Sequence, residues 1–179
     1  MVNDCSTDRT RYAIDLFIDP FDSLVKLINN NKNIGLPASV NKALKISQAE
    51  HVVRVDSDDF VNTNFLNFLL CYLEMNKEAD AVSCDYLLVD DNEKELRKCD
   101  SRKEPIACGI MFQKKHLSKL GFYDETFLCI EEQELMIRFK KEYNLHHLNL
   151  PLYRYRKHDK NMTNDKRMMK KYKKKLSLK

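Results

Sequence analysis

His51-Val52-Val53-Arg54-Val55-Asp56-Ser57-Asp58-Asp59 sets a short apolar run directly before three carboxylates. Such a run reads as a buried strand, and a strand over Val52 to Val55 would end at the carboxyl edge of an open α/β sheet, where ligands bind. Oxygen ligands fixed at that edge suit a hard divalent cation carrying phosphates, so the stretch predicts a metal-bound nucleotide site. Ser57, Asp58 and Asp59 equally suit a turn and N-cap before an apolar helix over Phe60 to Leu73, and the stretch alone leaves both readings open.

The flanking pattern alternates helices and strands. Asp8 to Phe17 predicts a helix and Leu24 to Ile28 a strand. Pro37 to Ala49 has a proline at a plausible first turn and Val40, Ala43, Leu44 and Ile46 at helical spacing. Asp80 to Val89 is strand-like, Asp90-Asp91-Asn92 is a turn, and Ile106 to Phe112 is a further apolar run. Glu131 to Tyr143 carries Leu135, Ile137 and Phe139 among charges and predicts a helix. The alternation predicts an α/β domain with a mostly parallel sheet. Gly35, Gly109 and Gly121 are the three glycines, and they lie too far apart for a G-x-G-x-x-G or Walker-type phosphate loop.

A chain of 179 residues with 43% apolar content is long enough for one domain with a sizeable core. No stretch approaches the roughly 20 apolar residues of a membrane span, and the first residues do not read as a secretory signal. The six cysteines (Cys5, Cys71, Cys84, Cys99, Cys108, Cys129) form no C-x-x-C pair and no ligand-like spacing to a histidine. A cysteine zinc site is therefore not expected, and reduced cytoplasmic thiols account for them.

The charge is unevenly placed. Residues 166–179 hold eight Lys or Arg and no acid; of the chain's 31 basic residues that leaves 23 against 27 acidic ones elsewhere, a net −4. Nucleic acid would call for a basic face on the body of the domain, so it is not an expected partner. The tail is expected to be a separate basic segment over 161–179, following a domain over 1–160. Met168, Met169, Tyr172 and Leu176 would share one side of a helix among the lysines, which suits an anionic membrane surface or a solvated end.

Five segments in order, Val2-Asn3-Asp4-Cys5-Ser6-Thr7-Asp8, Asn33-Ile34-Gly35-Leu36 with Asn41, Asp56-Ser57-Asp58-Asp59, Gly109 to Phe127, and Glu131-Glu132 with Arg138, resemble the family 2 glycosyltransferases. The resemblance covers residues 1 to about 158. It implies the nucleotide-diphospho-sugar transferase (GT-A, Rossmann-like) fold, a nucleoside-diphosphate sugar donor with UDP favoured, and Mg²⁺ or Mn²⁺.

Carried over residue by residue, the resemblance places Asp4 against the nucleoside base, with Ser6 and Asp8 completing the turn into a helix that they also suit as caps. Asn3 departs from the commoner Asp. Asn33, Gly35 and Asn41 would shape the nucleotide pocket, although Gly35 could equally mark a turn. Asp56 would lie near the ribose, Asp58 would hold the cation that bridges the donor phosphates, and Asp59 would support them. Gly109 would permit close approach near the phosphates, on what is otherwise a plain core strand.

Glu131-Glu132 matches the acidic pair beneath the acceptor. Glu132 stands where the family has the Asp that serves as base, with one methylene more, and attack by the acceptor hydroxyl would invert the anomeric centre. Helix N-terminal acids favoured by the helix dipole are the alternative for both. Arg138 is expected to pair with one of them, and His158 matches a histidine that approaches the metal or diphosphate. The acceptor would be a glycan or lipid-linked molecule of the cell envelope or surface polysaccharide, met at the cytoplasmic face of the membrane.

Members of the family carry a strand and helix ahead of the segment that opens this chain. The expectation is an N-terminally truncated chain, with the neighbouring strand edge unpaired. A catalytically inactive remnant or a nucleotide-binding interaction module is the competing expectation.

Overall fold

A computed structural model describes residues 1–18, 24–159 and 161–179. In chain order the elements are β1 (Val2–Asn3), α1 (Thr10–Phe17), β2 (Ile28–Asn29), α2 (Leu36–Ile46), β3 (His51–Val53), β4 (Phe60–Val61), α3 (Phe65–Met75), β5 (Ala81–Val89), β6 (Glu95–Cys99), β7 (Ile110–Gln113), α4 (Lys114–Lys119), α5 (Glu131–Glu142), β8 (Leu145–Arg156) and α6 (Lys166–Leu176). β1 and β2 pair in parallel as a two-stranded sheet, and the other six strands form one sheet in the order β3-β7-β5-β8-β4, with β6 also on β5.

The large sheet is mixed, not mostly parallel. Only β5 and β8 run parallel within it, while β3·β7, β5·β7, β5·β6 and β4·β8 are antiparallel. The cause lies in the connections. A tight hairpin reverses the chain, whereas a parallel return needs a long crossover. β5 turns straight into β6 at Asp90, whose Oδ1 accepts the N–H groups of Asn92 and Lys94, both at 2.9 Å. The excursion through α4 and α5 is the one that brings β8 back parallel to β5.

Two further expectations change locally. Residues 60–73 do not form one helix: Phe60 and Val61 pair with Arg154 and Tyr153, and the helix starts only after Asn62. Asn62 Oδ1 accepts the Asn64 N–H at 2.9 Å and its carbonyl accepts that of Phe65, an Asx turn that resets the backbone before α3. Of the expected Leu24–Ile28 strand only Ile28 pairs, and with Asn29 beyond it makes up β2, because β1 offers just two partners.

Both faces of the large sheet are covered. Phe65, Leu69 and Leu73 of α3 pack on Val82, Cys84, Tyr86 and Tyr153 on one face; Leu44 of α2 with Leu135 and Phe139 of α5 packs on Ala81, Ile110 and Phe112 on the other. α6 does not stand free. Tyr172, Met168, Met169 and Leu176 close over Phe127, Cys129 and Ile130, and Lys175 Nζ donates to the Thr126 carbonyl at 2.8 Å. The apolar side of the basic tail is therefore spent on the protein itself; Lys175 and Lys179 also turn back onto it, through Thr126 and through Asp124 and Glu134, and Lys166, Lys170, Lys171, Lys173 and Lys174 are left outward. Among the described residues no helix is long and apolar enough to cross a membrane.

Candidate active site

Beyond β3 the chain carries a buried charge. Arg54 is 12% exposed, and its guanidinium donates to both carboxylate oxygens of Asp56 (Nε–Oδ1 2.6 Å, Nη2–Oδ2 2.8 Å) and to Glu131 Oε1 (Nη1, 2.8 Å). Tyr153, fully buried on β8, braces the same loop: its hydroxyl accepts from the Asp56 N–H at 3.2 Å and donates to Asp59 Oδ2 at 2.7 Å. The Arg156 N–H donates to Asp59 Oδ1 at 2.8 Å, and burial pushes the Asp59 carboxyl up to about 6. Asp56 and Asp59 are thus occupied by the protein. Asp58 is different: its side chain is 43% exposed, and Oδ2 lies 2.8 Å from Nε2 of His158.

These contacts decide which residues fit a cation. Asp56, Asp59 and Cys108 converge closely, but Arg54, Tyr153 and Arg156 already satisfy the carboxylates, and burial holds the Cys108 thiol protonated. Asp58 with His158 fits better: one oxygen and one imidazole, accessible from solvent, are a sufficient protein share for an ion that also takes donor phosphates and water. The loop behind them is knit by Asn161, whose Oδ1 accepts the His158 N–H at 2.6 Å and whose Nδ2 donates to the Arg156 carbonyl at 3.1 Å.

An open cleft of about 2290 Å³ runs past this loop, lined among others by Asp4, Gly35, Asp56, Asp58, Glu131 and Glu132. Of the residues predicted for the nucleotide, Asp4 is half-buried, and its Oδ1 accepts from Asn30 Nδ2 and the Ile34 N–H (2.9 Å each), while Oδ2 accepts the Gly35 N–H at 2.8 Å. Burial would raise its carboxyl, but these donors hold it below the usual range. Asn33 Oδ1 accepts the Gly35 N–H at 3.2 Å. Gly35 sits at φ 86° and ψ 160°, a conformation open to glycine alone, and there it begins α2. Asn3 Oδ1 accepts the N–H of Ser6, so the departing Asn still closes the turn.

Three of the predicted nucleotide residues face elsewhere. Asp8, one residue ahead of the Arg9 N-cap, accepts the Thr10 N–H at the start of α1 at 2.9 Å. Asn41 is buried, with Nδ2 donating to the Tyr123 carbonyl and Glu125 Oε1 (2.9 Å each) and Oδ1 accepting the Tyr123 N–H at 3.0 Å, so its amide ties α2 to that loop. Gly109, at φ 75°, lets β7 approach Cys84 and Tyr153 closely; a Cβ there would lie 3.4 Å from Cys84 Sγ.

On α5, Glu131 is held by Arg54, and Glu132 accepts the Tyr123 hydroxyl proton on Oε2 at 2.7 Å. Glu132 Oε1 has no hydrogen-bond partner among the described residues, and burial pushes the carboxyl up to about 7. Arg138 pairs with neither. It binds Glu134 (Nη2–Oε2 2.7 Å) and the carbonyls of Leu120 and Phe122, because one helical turn separates 134 from 138 on the same face.

Arg54 and Tyr153 are the residues that the sequence reading passed over. Arg54 had a signal: a charge inside a β-branched strand must find a buried partner. Tyr153 gave none that separates it from the tyrosines around it.

A GT-A glycosyltransferase fold is what this sheet and its carboxylate loop define. Superposition agrees: the chain matches TarS of S. aureus solved in complex with UDP at TM-score 0.70 and 19% identity, covering 87% of this chain and 50% of that one. The mannosyltransferase PcManGT of Pyrobaculum calidifontis, solved with GDP-Man and Mn²⁺, matches at TM-score 0.68 and 17% identity over 89% of this chain and 48% of its own. The chain belongs to glycosyl transferase family 2, whose family model matches residues 1–143. An uncharacterised glycosyltransferase of Methanocaldococcus jannaschii is 26% identical over 131 residues, which is 65% of this chain and 45% of the relative. The chain thus spans about half the length of these proteins.

Proposed function

We propose that this chain is the donor-binding and catalytic portion of an inverting glycosyltransferase that moves a sugar from a nucleoside-diphosphate sugar to an acceptor hydroxyl. The observation that carries the reading is the contact of Asp58 with His158 across 100 residues of sequence, with Asp58 on the cleft that Glu131 and Glu132 also line. Asp58 and His158 would hold Mg²⁺ or Mn²⁺. The ion would neutralise charge developing on the departing diphosphate.

The protein's own residues supply the rest. Asp4, Asn33 and Gly35 form the wall for the nucleoside, Asp56 is held in place by Arg54, and Glu132, with a free oxygen, accepts the acceptor's proton. UDP is the favoured nucleotide, and the acceptor is a glycan or lipid-linked molecule of an envelope or surface polysaccharide. The 1–160 region is proposed as the transferase domain, with 161–179 docked on it.

The test is direct. Calorimetric titration of UDP with Mn²⁺ should show metal-dependent binding that Asp58→Ala abolishes, with the thermal melt unchanged because the side chain is half exposed. Equal affinity in the variant would remove Asp58 from the metal role.

The outward lysines of α6 make a second prediction. Lys166, Lys170, Lys171, Lys173 and Lys174 are exposed, each worth about 1 kcal/mol at an anionic surface, while the apolar side is already covered. Sedimentation with anionic vesicles should therefore occur at low salt and vanish at high salt. Salt-resistant binding would mean that α6 undocks and inserts; no binding at 50 mM salt would make the tail a solvated end.

A further inference from the structure

Away from the Asp58 loop, β5 and β8 bring a second polar cluster together. Asp85 is 1% exposed on β5, and its Oδ1 lies 3.0 Å from Nε2 of His147 on β8; Asp100 Oδ1, in the loop after β6, lies 4.0 Å from the same nitrogen. At 3.0 Å the Asp85–His147 contact has hydrogen-bond length, yet neither Asp85 Oδ1 nor His147 Nε2 makes a hydrogen bond of acceptable direction. Both atoms are buried, and together with an oxygen of Asp100 they lie within 4.8 Å of one another.

The tautomer explains why that matters. The Ser83 hydroxyl donates to the His146 carbonyl at 3.3 Å and lies 3.1 Å from His147 Nδ1, and the Ser101 hydroxyl lies 3.4 Å from the same nitrogen. With Nδ1 donating to one of these hydroxyls, Nε2 turns a lone pair toward a carboxylate. In that tautomer the two lone pairs repel at 3.0 Å unless a cation lies between them. A histidine whose far nitrogen donates to a fixed oxygen is the arrangement found around bound metals.

We propose that Asp85, Asp100 and His147 form a divalent transition-metal site separate from the Asp58–His158 pair, with Zn²⁺ the best match. One imidazole and two carboxylates are a three-ligand zinc set with a fourth position open, and atoms around such an ion stand roughly 3.4 Å apart, between the two separations seen. The other oxygen of Asp85 is held by Lys98 Nζ at 3.0 Å, which orients Oδ1 inward. Asp100 is held by Arg102, whose backbone N–H and Nε donate to Oδ1 (2.9 and 3.0 Å) and whose Nη2 donates to Oδ2 (2.8 Å); the arginine side chain is 61% exposed and can swing away, which leaves Oδ1 with the one backbone donor and a lone pair for an ion. His147 and Ser101 line the cleft, so the cluster borders it.

The experiment titrates Zn²⁺ against a chromophoric chelator, using the full chain carrying Cys5→Ser, Cys71→Ser and Asp58→Ala. Those changes remove the exposed thiols and the other candidate ligand. One ion per chain is expected, bound at least tenfold more weakly after His147→Ala. Asp100→Asn, at a partly exposed position, should weaken it likewise and covers the case in which the His147 variant does not fold. Co²⁺ in place of Zn²⁺ should give a visible absorption band lost in the same variants. Absent stoichiometric uptake, or uptake that both variants leave unchanged, would overturn the site. So would a metal-free His147 with both ring nitrogens protonated and indifferent to added Zn²⁺, which would make the cluster an imidazolium–carboxylate pair.

Discussion

Glu132→Gln is expected to keep donor binding and lose about 10²–10⁴-fold in transfer rate, measured by release of nucleoside diphosphate in the presence of acceptor. The amide preserves the hydrogen bond from Tyr123 and the size of the group but cannot take a proton. The pH profile should report the same residue. Burial raises the Glu132 carboxyl to about 7, so turnover rises as pH climbs through that value and the base ionises. Stability moves the opposite way. The folded state binds the proton more tightly than the unfolded chain, so this group's contribution is complete below about 4.5 and is lost as pH rises through about 7. Near-parental turnover in the variant would pass the role to Glu131 or to another group.

Arg54→Ala should cost stability more than any single surface change. It leaves Glu131, 4% exposed, as an unpaired buried carboxylate and frees Asp56 from its two-point hold. Breaking one partner of such a buried set costs roughly 3–5 kcal/mol, and at 2–4 °C per kcal/mol for a chain of this size the melting temperature should fall by about 6–20 °C. Adding Glu131→Gln should recover part of that loss, because the orphaned charge is removed. A melt within about 1 °C of the parent would show that the guanidinium is not what holds this corner together.

The two variants also separate roles that the sequence lists side by side. Glu131 and Glu132 read as one acidic pair at a helix start. In the structure the first is a strut to Arg54 and the second a buried acid with a free oxygen. Asn41 shows the same limit: an amide at the right place in the motif order is used up inside the protein by residues more than 80 positions away.

What the sequence determined by itself was the family and the segments that build the candidate site. The strand leading into Asp56-Ser57-Asp58-Asp59, the Asn33-Ile34-Gly35 turn and the acids opening α5 are signals carried by residues next to one another, and local order survives without knowledge of the fold. Partners were another matter. Asp58 meets His158, Arg54 meets Glu131, and Asp85 meets His147 only because β5 and β8 lie parallel and the β3 loop sits against both the end of β8 and the start of α5. Strand direction itself was decided by connections, hairpin or crossover, that composition does not announce. Tertiary structure alone settled which polar groups were consumed and which were left over, because hydrogen bonding of buried groups is satisfied through space and has no period along the chain.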